Sequence, residues 1–362
     1  MDLFDVAIVG AGPAGSTCAA FCAAAGLRTV IVEREKFPRE KVCGDCLNPA
    51  CWPVLRRLEL SERARALPHA KLEHVQFIAI NGRRVIVDLP VGDEGEISVK
   101  RSLFDDVVLT RARELGADVR EQSIVTALST ISGGNWKIDI VRETFGARFL
   151  VGADGRNSTV ARLCNLLPRP ERERVALQAH IPLPRNFGNR VVLQLLPEGY
   201  SGQAPVNETE LNLCLVGRPP TISALRRWAE QHFGLGADQS WRTITPLTRA
   251  PIAVAHDNLF FIGDAARVVE PFTGEGIFYA LRSGELAAEA LVKIARGEDR
   301  QSTTREFVRA HAAMYRGRLW INELARVAVL WPRTASALLD SPFPSRAILR
   351  TLTRRTARNL TG

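Results

Sequence analysis

The 362-residue chain is short of lysine. Lys36, Lys41, Lys71, Lys100, Lys137 and Lys293 are all it has, so nearly all of the positive charge behind its formal +9 is arginine. No apolar run reaches the roughly 20 residues that a membrane-spanning helix requires. No basic segment with a cleavage site precedes the first apolar run, so a secretory leader is not expected. The seven cysteines are odd in number and scattered. That excludes a disulfide framework and fits reduced thiols in a cytoplasmic protein. Cys43-Gly44-Asp45-Cys46 is one C-x-x-C pair with no second pair or histidine set beside it, so no metal site is expected. No Ser-His-Asp or paired-carboxylate constellation stands out, and neither does an internal repeat or a low-complexity linker. The arginine excess comes with no nucleic-acid motif, so no nucleic-acid partner is expected.

Against these absences stand three glycine-acid motifs in a fixed order. The first, Gly10-Ala11-Gly12-Pro13-Ala14-Gly15, follows the apolar run Asp5–Val9. Gly10 permits a tight turn, Gly12 lets the backbone approach a pyrophosphate, and Gly15 allows close helix-strand packing. A helix opening at Pro13 offers unpaired N–H groups and partial positive charge to phosphates. Glu33 ends the next apolar run, about 20 residues on, where an acid holds a ribose hydroxyl. The second motif is Val151-Gly152-Ala153-Asp154-Gly155-Arg156. The third is Gly263-Asp264, followed by Pro271-Phe272-Thr273-Gly274-Glu275-Gly276-Ile277.

The first motif alone does not separate NAD from FAD. With the other two, the chain resembles the FAD-dependent oxidoreductases of the p-hydroxybenzoate hydroxylase type, in their geranylgeranyl reductase-like branch, over residues 5 to 300 or so. That resemblance implies that Asp154 and Gly155 back the cofactor's pyrophosphate and that Asp264, after Gly263, binds the ribityl chain. It implies that Arg101 contacts the cofactor, and that Arg34 lies beside Glu33 at its ribose end. Lys41-Val42-Cys43-Gly44 resembles a loop near the isoalloxazine ring. Pro271 and Gly274-Glu275-Gly276-Ile277 match the final flavin-contacting segment. Glu270 and Glu275 also read as helix-start acids facing solvent, favoured there by the helix dipole.

The implied fold is α/β with α+β character: a Rossmann-like FAD-binding domain, an inserted antiparallel-sheet substrate domain, and a C-terminal helical segment. The pattern divides as 1–70, 98–172 and 246–300 for FAD, 71–97 and 173–245 for substrate, and 301–362 for the helical tail. Residues 49–67 read as one helix. Residues 75–89 read as a hairpin closed by a type I′ turn at Asn81-Gly82. The segment from Gly199 to Pro205 reads as a loop. Isoprenoid reductases carry Tyr-x-Trp-x-Phe-Pro there; this chain keeps Tyr200 and Pro205 but has Gly202 and Ala204 in place of the two large aromatics. Tyr200, Gly202 and Ala204 are therefore candidate pocket residues for a wider or less greasy site. Arg346, Arg350, Arg354 and Arg358 recur every fourth residue, a spacing that suits peripheral contact with an anionic membrane.

The expected chemistry is FAD-dependent reduction or dehydrogenation of an apolar isoprenoid- or polyketide-like molecule by hydride transfer through the flavin. A single-component monooxygenase on an aromatic or large natural product is the alternative, with halogenase as a weaker variant. A flavoprotein maturation factor or redox sensor is the third reading. Only one dinucleotide fingerprint is present, so NAD(P)H would dock transiently as reductant. Cys43, as proton donor, and His180, on a strand facing the flavin, are the candidate catalytic groups. Oligomeric state is left unassigned.

Overall fold

A computed structural model describes residues 2–169, 174–271, 274–318, 333, 334 and 336. One part of the molecule is organised around an eight-stranded sheet. Leu3–Val9, fully buried over Val6–Ile8, pairs in parallel with Thr29–Val32 on one side and Glu143–Gly152 on the other. Asp118–Arg120 and Leu259–Phe261 extend the parallel sheet at either end. Trp136–Ile140 and Val125–Thr130 run antiparallel off Glu143–Gly152. The parallel strands read as unbroken apolar runs because both faces are covered.

The helix Pro13–Ala24 is buried along most of its length and, apart from Pro13 and Phe21, is built of Ala, Gly, Ser, Thr and Cys. Those small residues let it lie between the sheet and the long helix Gly276–Ala295. Contact at that crossing is intimate: a Cβ on Gly284 would fall 2.3 Å from the Ala14 carbonyl oxygen. The Ser283 hydroxyl accepts the Gly263 N–H at 2.9 Å and ties the long helix to the third motif. The helix Arg300–Met314 packs behind it, capped by the Asp299 side chain.

A seven-stranded sheet stands apart, made from His74–Ile78, Arg84–Asp88, Val175–Pro182, Arg190–Leu196, Gly199–Pro205, Glu210–Gly217 and Arg242–Ile244. Strand alternation gives it two distinct faces. Leu177, Ala179, Ile181, Leu211, Leu213 and Leu215 lie on one face, which the helix Ile222–Phe233 covers through Leu225 and Ala229. The other face carries Tyr200, Gly202 and Ala204, with their cross-strand partners Val216, Cys214 and Asn212.

Several sequence expectations are corrected. The helix expected over 49–67 is a short 3₁₀ turn and two helices, Trp52–Arg57 and Ser61–Ala66. They are broken where Glu59 turns left-handed (φ +58°) and Leu60 is driven into the core. The hairpin turn is not type I′. Only Gly82 takes a positive φ (+86°), and the Ala79 N–H donates to Arg83, which makes a three-residue loop. Gly199–Pro205 is not a loop but a central strand, hydrogen-bonded on both sides; its glycines and proline hide an alternation that Tyr200, Gly202 and Ala204 share. The arginines of the expected membrane-facing tail, 346 to 358, lie outside the described residues. Among the described residues, no helix is long and apolar enough to cross a membrane.

Candidate functional site

The first motif builds a cradle. Gly10 adopts φ +101°, and a Cβ there would sit 2.6 Å from the Ala153 carbonyl oxygen. A Cβ on Gly15 would lie 1.9 Å from the Gly10 oxygen. Gly12 is different: its Cβ would meet only the Arg39 guanidinium, at 3.7 Å. Gly10 and Gly15 thus serve packing, while Gly12 leaves its backbone open beside a cation. The helix that starts at Pro13, with Ala14 behind it, has no side-chain cap, so its N–H groups face that opening. Glu33, almost fully buried, accepts the Ala11 N–H at 2.8 Å and the Glu35 N–H at 3.0 Å. Arg34 is exposed and lies 3.5 Å from Glu35.

Cations crowd this opening. Burial, and then the charges of Arg156 and Arg39, lower Lys41 from the ordinary lysine range to about 8. Its Nζ would lie 3.6 Å from a Cβ on Gly155, which turns left-handed at φ +82°. Arg101 is held bidentately by Asp105 at 2.7 Å, and Arg39 reaches the same carboxylate at 2.8 Å. Burial works against the Arg101 charge, but Asp105 and the Cys43 thiol raise its pKa above the ordinary value. Arg156 meets Asp264 at 3.2 Å. Arg249 donates to the backbone oxygens of Arg156, Asp264 and Ala265. Asp154 does different work: it accepts the Thr159 and Val160 N–H groups at 2.6 and 3.1 Å and so fixes the turn that follows.

A pyrophosphate fits here. A dianion would offset the burial and like-charged neighbours that lower Lys41, and the uncapped helix start and open Gly12 backbone are the donors it needs. Glu33 at one end and Asp264 at the other suit the hydroxyls of a ribose and a ribityl chain.

The third motif is built from buried ion pairs, which corrects the solvent-facing reading of its two acids. Glu270 is clasped by Arg174 at 3.0 and 2.7 Å, both side chains at 2 % exposure or less. Glu275 is fully buried, meets Arg318 and accepts from the Tyr279 hydroxyl at 3.4 Å. Pro271 is exposed, Gly274 is left-handed at φ +69°, a Cβ on Gly276 would touch nothing within 4 Å, and Ile277 is buried.

The loop from Lys41 to Asp45 bridges the two sheets. Asn212 donates to the Cys43 carbonyl at 2.8 Å, and the Cys214 thiol reaches it at 3.4 Å. Gly44 has open space at its Cβ position. Asp45, fully buried with φ +61°, holds His180 Nε2 at 2.8 Å. Burial pushes the Asp45 carboxyl up, against the pull of His180. Burial also pushes the Cys43 and Cys46 thiols up, so both are protonated at neutral pH. Cys43 packs against the core around the first helix, while Cys46 packs against Leu72, Val75 and Phe77. All seven cysteines are free.

Tyr200, Gly202 and Ala204 share a sheet face with Asn212, Cys214, Gln178 and His180, and Leu193 and Leu195 continue it. Tyr200 is buried, and a Cβ on Gly202 would approach nothing nearer than Leu193 at 3.7 Å. This face looks toward the Cys43 loop. Sequence reasoning missed Arg39, Asp45, Arg174 and Arg249. Only Asp45 had a signal, its place directly after Cys43-Gly44.

A parallel sheet with this cradle, and a second sheet facing it, define a flavin-dinucleotide-dependent oxidoreductase. The FAD binding domain family matches residues 4–182. A menaquinone reductase of Mycolicibacterium smegmatis is 31 % identical over 318 residues, 79 % of this chain and 76 % of that protein. A digeranylgeranylglycerophospholipid reductase of Methanopyrus kandleri is 27 % identical over 323 residues, 82 % of each. The chain belongs to this family of FAD-dependent oxidoreductases. Its fold is also that of a flavin-dependent brominase triple mutant (TM-score 0.79, 21 % identity, covering 99 % of this chain and 96 % of that one).

Proposed function

We propose that this protein uses FAD to reduce an apolar isoprenoid. The observation that carries the reading is the sheet face of Tyr200, Gly202, Ala204, Leu193, Leu195 and Val216, apolar and turned toward the Cys43 loop. The relatives named for menaquinone and for a digeranylgeranyl lipid act on molecules with long polyprenyl chains, and this face suits such a chain. Gly12, Lys41, Arg39 and the start of the Pro13–Ala24 helix would hold the cofactor's diphosphate. Glu33 would take the ribose and Asp264 the ribityl chain. When bound, FAD supplies two electrons and a hydrogen to a substrate carbon.

The chain's own residues orient the substrate, keep water from the cleft and supply the second hydrogen as a proton. Cys43 and His180 are the groups positioned to do so. Gly202 and Ala204, where isoprenoid reductases have large aromatics, widen the space beside Tyr200 and suit a substrate with a bulky head on its polyprenyl chain. Among the described residues no second dinucleotide fold accompanies the FAD cradle, so NAD(P)H would dock transiently to reduce the cofactor.

The test is product analysis. Anaerobically photoreduced holoenzyme is incubated with geranylgeraniol and with a short-chain menaquinone, and the products are examined by mass spectrometry. A gain of two hydrogens in either probe is the expected result. Unchanged probes beside a stably reduced flavin would overturn the reading.

A further inference from the structure

We infer that His180, gripped by Asp45, is the proton donor of this site, and that Asp45 is its positioning residue. The inference rests on the proposed reduction and names the group that completes it.

The two residues come from different halves of the molecule. Asp45 sits in the loop that leads out of the cation cradle, and His180 lies on the strand Val175–Pro182 of the seven-stranded sheet. Holding them together carries physical costs. Asp45 is a non-glycine residue in the left-handed region, with no exposed surface. Its Oδ1 has no close hydrogen-bond partner, Oδ2 is held by His180 Nε2, and beyond that the carboxylate has only the weaker pull of the Arg101 backbone N–H and guanidinium. A buried carboxylate left half unpaired is expensive. A purely structural role would be served as well by an amide or an apolar pair. Its backbone is pinned as well, because the Asp45 carbonyl accepts the Val99 N–H at 2.9 Å.

With Nε2 committed to Asp45, the other ring nitrogen is the working one. Nδ1 has no protein partner among the described residues, and the His180 side chain keeps 10 % exposure. Its strand neighbours facing the same way are Gln178 and, across the ladder, Asn212. Gln178 is fully buried, donates to Asn212 at 3.1 Å and leaves its Oε1 without a partner. The sheet face is therefore apolar from Tyr200 to Leu195 but has a polar end at Gln178, Asn212 and His180, beside the Cys43 loop.

Charges around the imidazole come from several elements. Asp45 is on the loop, and Arg101 stands behind it on the helix Arg101–Glu114. Glu210, on the neighbouring strand, is bound to Lys100 at 2.6 Å. Two carboxylates thus face the ring, and the nearest cations are already engaged by Asp105 and Glu210. Cys43 is the weaker donor, because burial holds its proton tightly and its side chain packs against the core around the first helix.

The balanced step follows. At the substrate double bond, reduced FAD, when bound, would supply two electrons and a hydrogen to one carbon and be left oxidised. The other carbon forms a C–H bond with the proton of His180 Nδ1 as that N–H bond breaks. The neutral ring keeps its Nε2–H on Asp45 and regains a proton from solvent.

Two measurements test this, one of which needs no turnover. In histidine-¹⁵N-labelled, oxidised holoenzyme, a hydrogen-bonded Nε2 proton should be visible for His180. It should vanish in His180→Gln and change in Asp45→Asn, and the ring's Nδ1 signal should move when geranylgeraniol or short-chain menaquinone is added. In single-turnover oxidation of photoreduced enzyme by whichever probe reacts, His180→Gln should slow the step by about 100-fold or more. Its flavin content should match the wild type. Added imidazole should restore part of the rate to His180→Ala.

A wild-type protein without the hydrogen-bonded signal, or a probe that binds without moving Nδ1, would overturn the inference. So would a His180→Gln enzyme within about twofold of wild type in the single turnover. Failure of every probe to react with wild-type enzyme would instead count against the proposed function, and the spectroscopic arm would still decide the role of His180.

Discussion

Lys41 is where residue-scale physics speaks most directly about the cofactor. In the FAD-free chain, burial and the charges of Arg156 and Arg39 bring it to about 8, below the ordinary value of 10.5. Between those two pH values the unfolded chain binds more protons than the folded one. Apo-protein should therefore gain stability as pH rises through that window. Cofactor affinity should run the other way, because a diphosphate favours the charged lysine. FAD affinity is expected to fall above pH 8, by at most about tenfold per pH unit, and Lys41→Met should flatten that slope. Fluorescence titration of apo-protein with FAD between pH 7 and pH 10 checks both; a wild-type slope of zero would remove Lys41 from the cradle. Asp264 gives a simpler prediction. Asp264→Ala should purify with little or no flavin, read as the ratio of flavin to protein absorbance, and full occupancy would sink its role at the ribityl chain.

At the scale of elements, the helix Pro13–Ala24 is held by contacts with no slack. Gly15→Ala would thrust a methyl into the Gly10 carbonyl. Overpacking of this kind costs about 1–3 kcal/mol, and differential scanning calorimetry should show a lower melting temperature together with weakened FAD binding. The Arg174–Glu270 pair joins the seven-stranded sheet to the third motif. Arg174→Met leaves a buried carboxylate without its main partner and should destabilise by about 3–5 kcal/mol. The double variant Arg174→Met with Glu270→Gln should recover part of that loss in denaturant melts.

Elements whose local signal was strong could be read from the sequence. The strand, turn and helix of the first motif lie where its apolar run, glycines and proline put them. Gly199–Pro205 could not be read as a strand. Two glycines, an alanine and a proline carry no β-propensity, and only pairing on both sides makes it one. The break at Glu59 was equally hidden, since it answers to the burial of Leu60 rather than to any local stop signal.

At the scale of the whole molecule, the three motifs announced one cofactor. The structure places Gly12, Lys41, Gly155 and Asp264 around one opening, although they are spread over some 250 residues of sequence. What sequence could not give was how the second sheet meets that opening. Asp45 with His180, and Asn212 with the Cys43 carbonyl, are pairs separated by 135 and 169 residues, and nothing in their local pattern links them. The arginine excess was legible only as net charge; part of it proves to be internal, in Arg101, Arg174, Arg249 and Arg318.

Reduced flavin in this protein is expected to serve an isoprenoid rather than oxygen. Photoreduced, anaerobic holoenzyme should be mixed rapidly with short-chain menaquinone or geranylgeraniol in one syringe and with oxygenated buffer in another, while the flavin spectrum is recorded. An isoprenoid is expected to reoxidise the flavin, and oxygen to do so slowly, with no transient species. Rapid reoxidation by oxygen through a transient absorbing species, with no response to either isoprenoid, would contradict it and identify an oxygen-using enzyme instead.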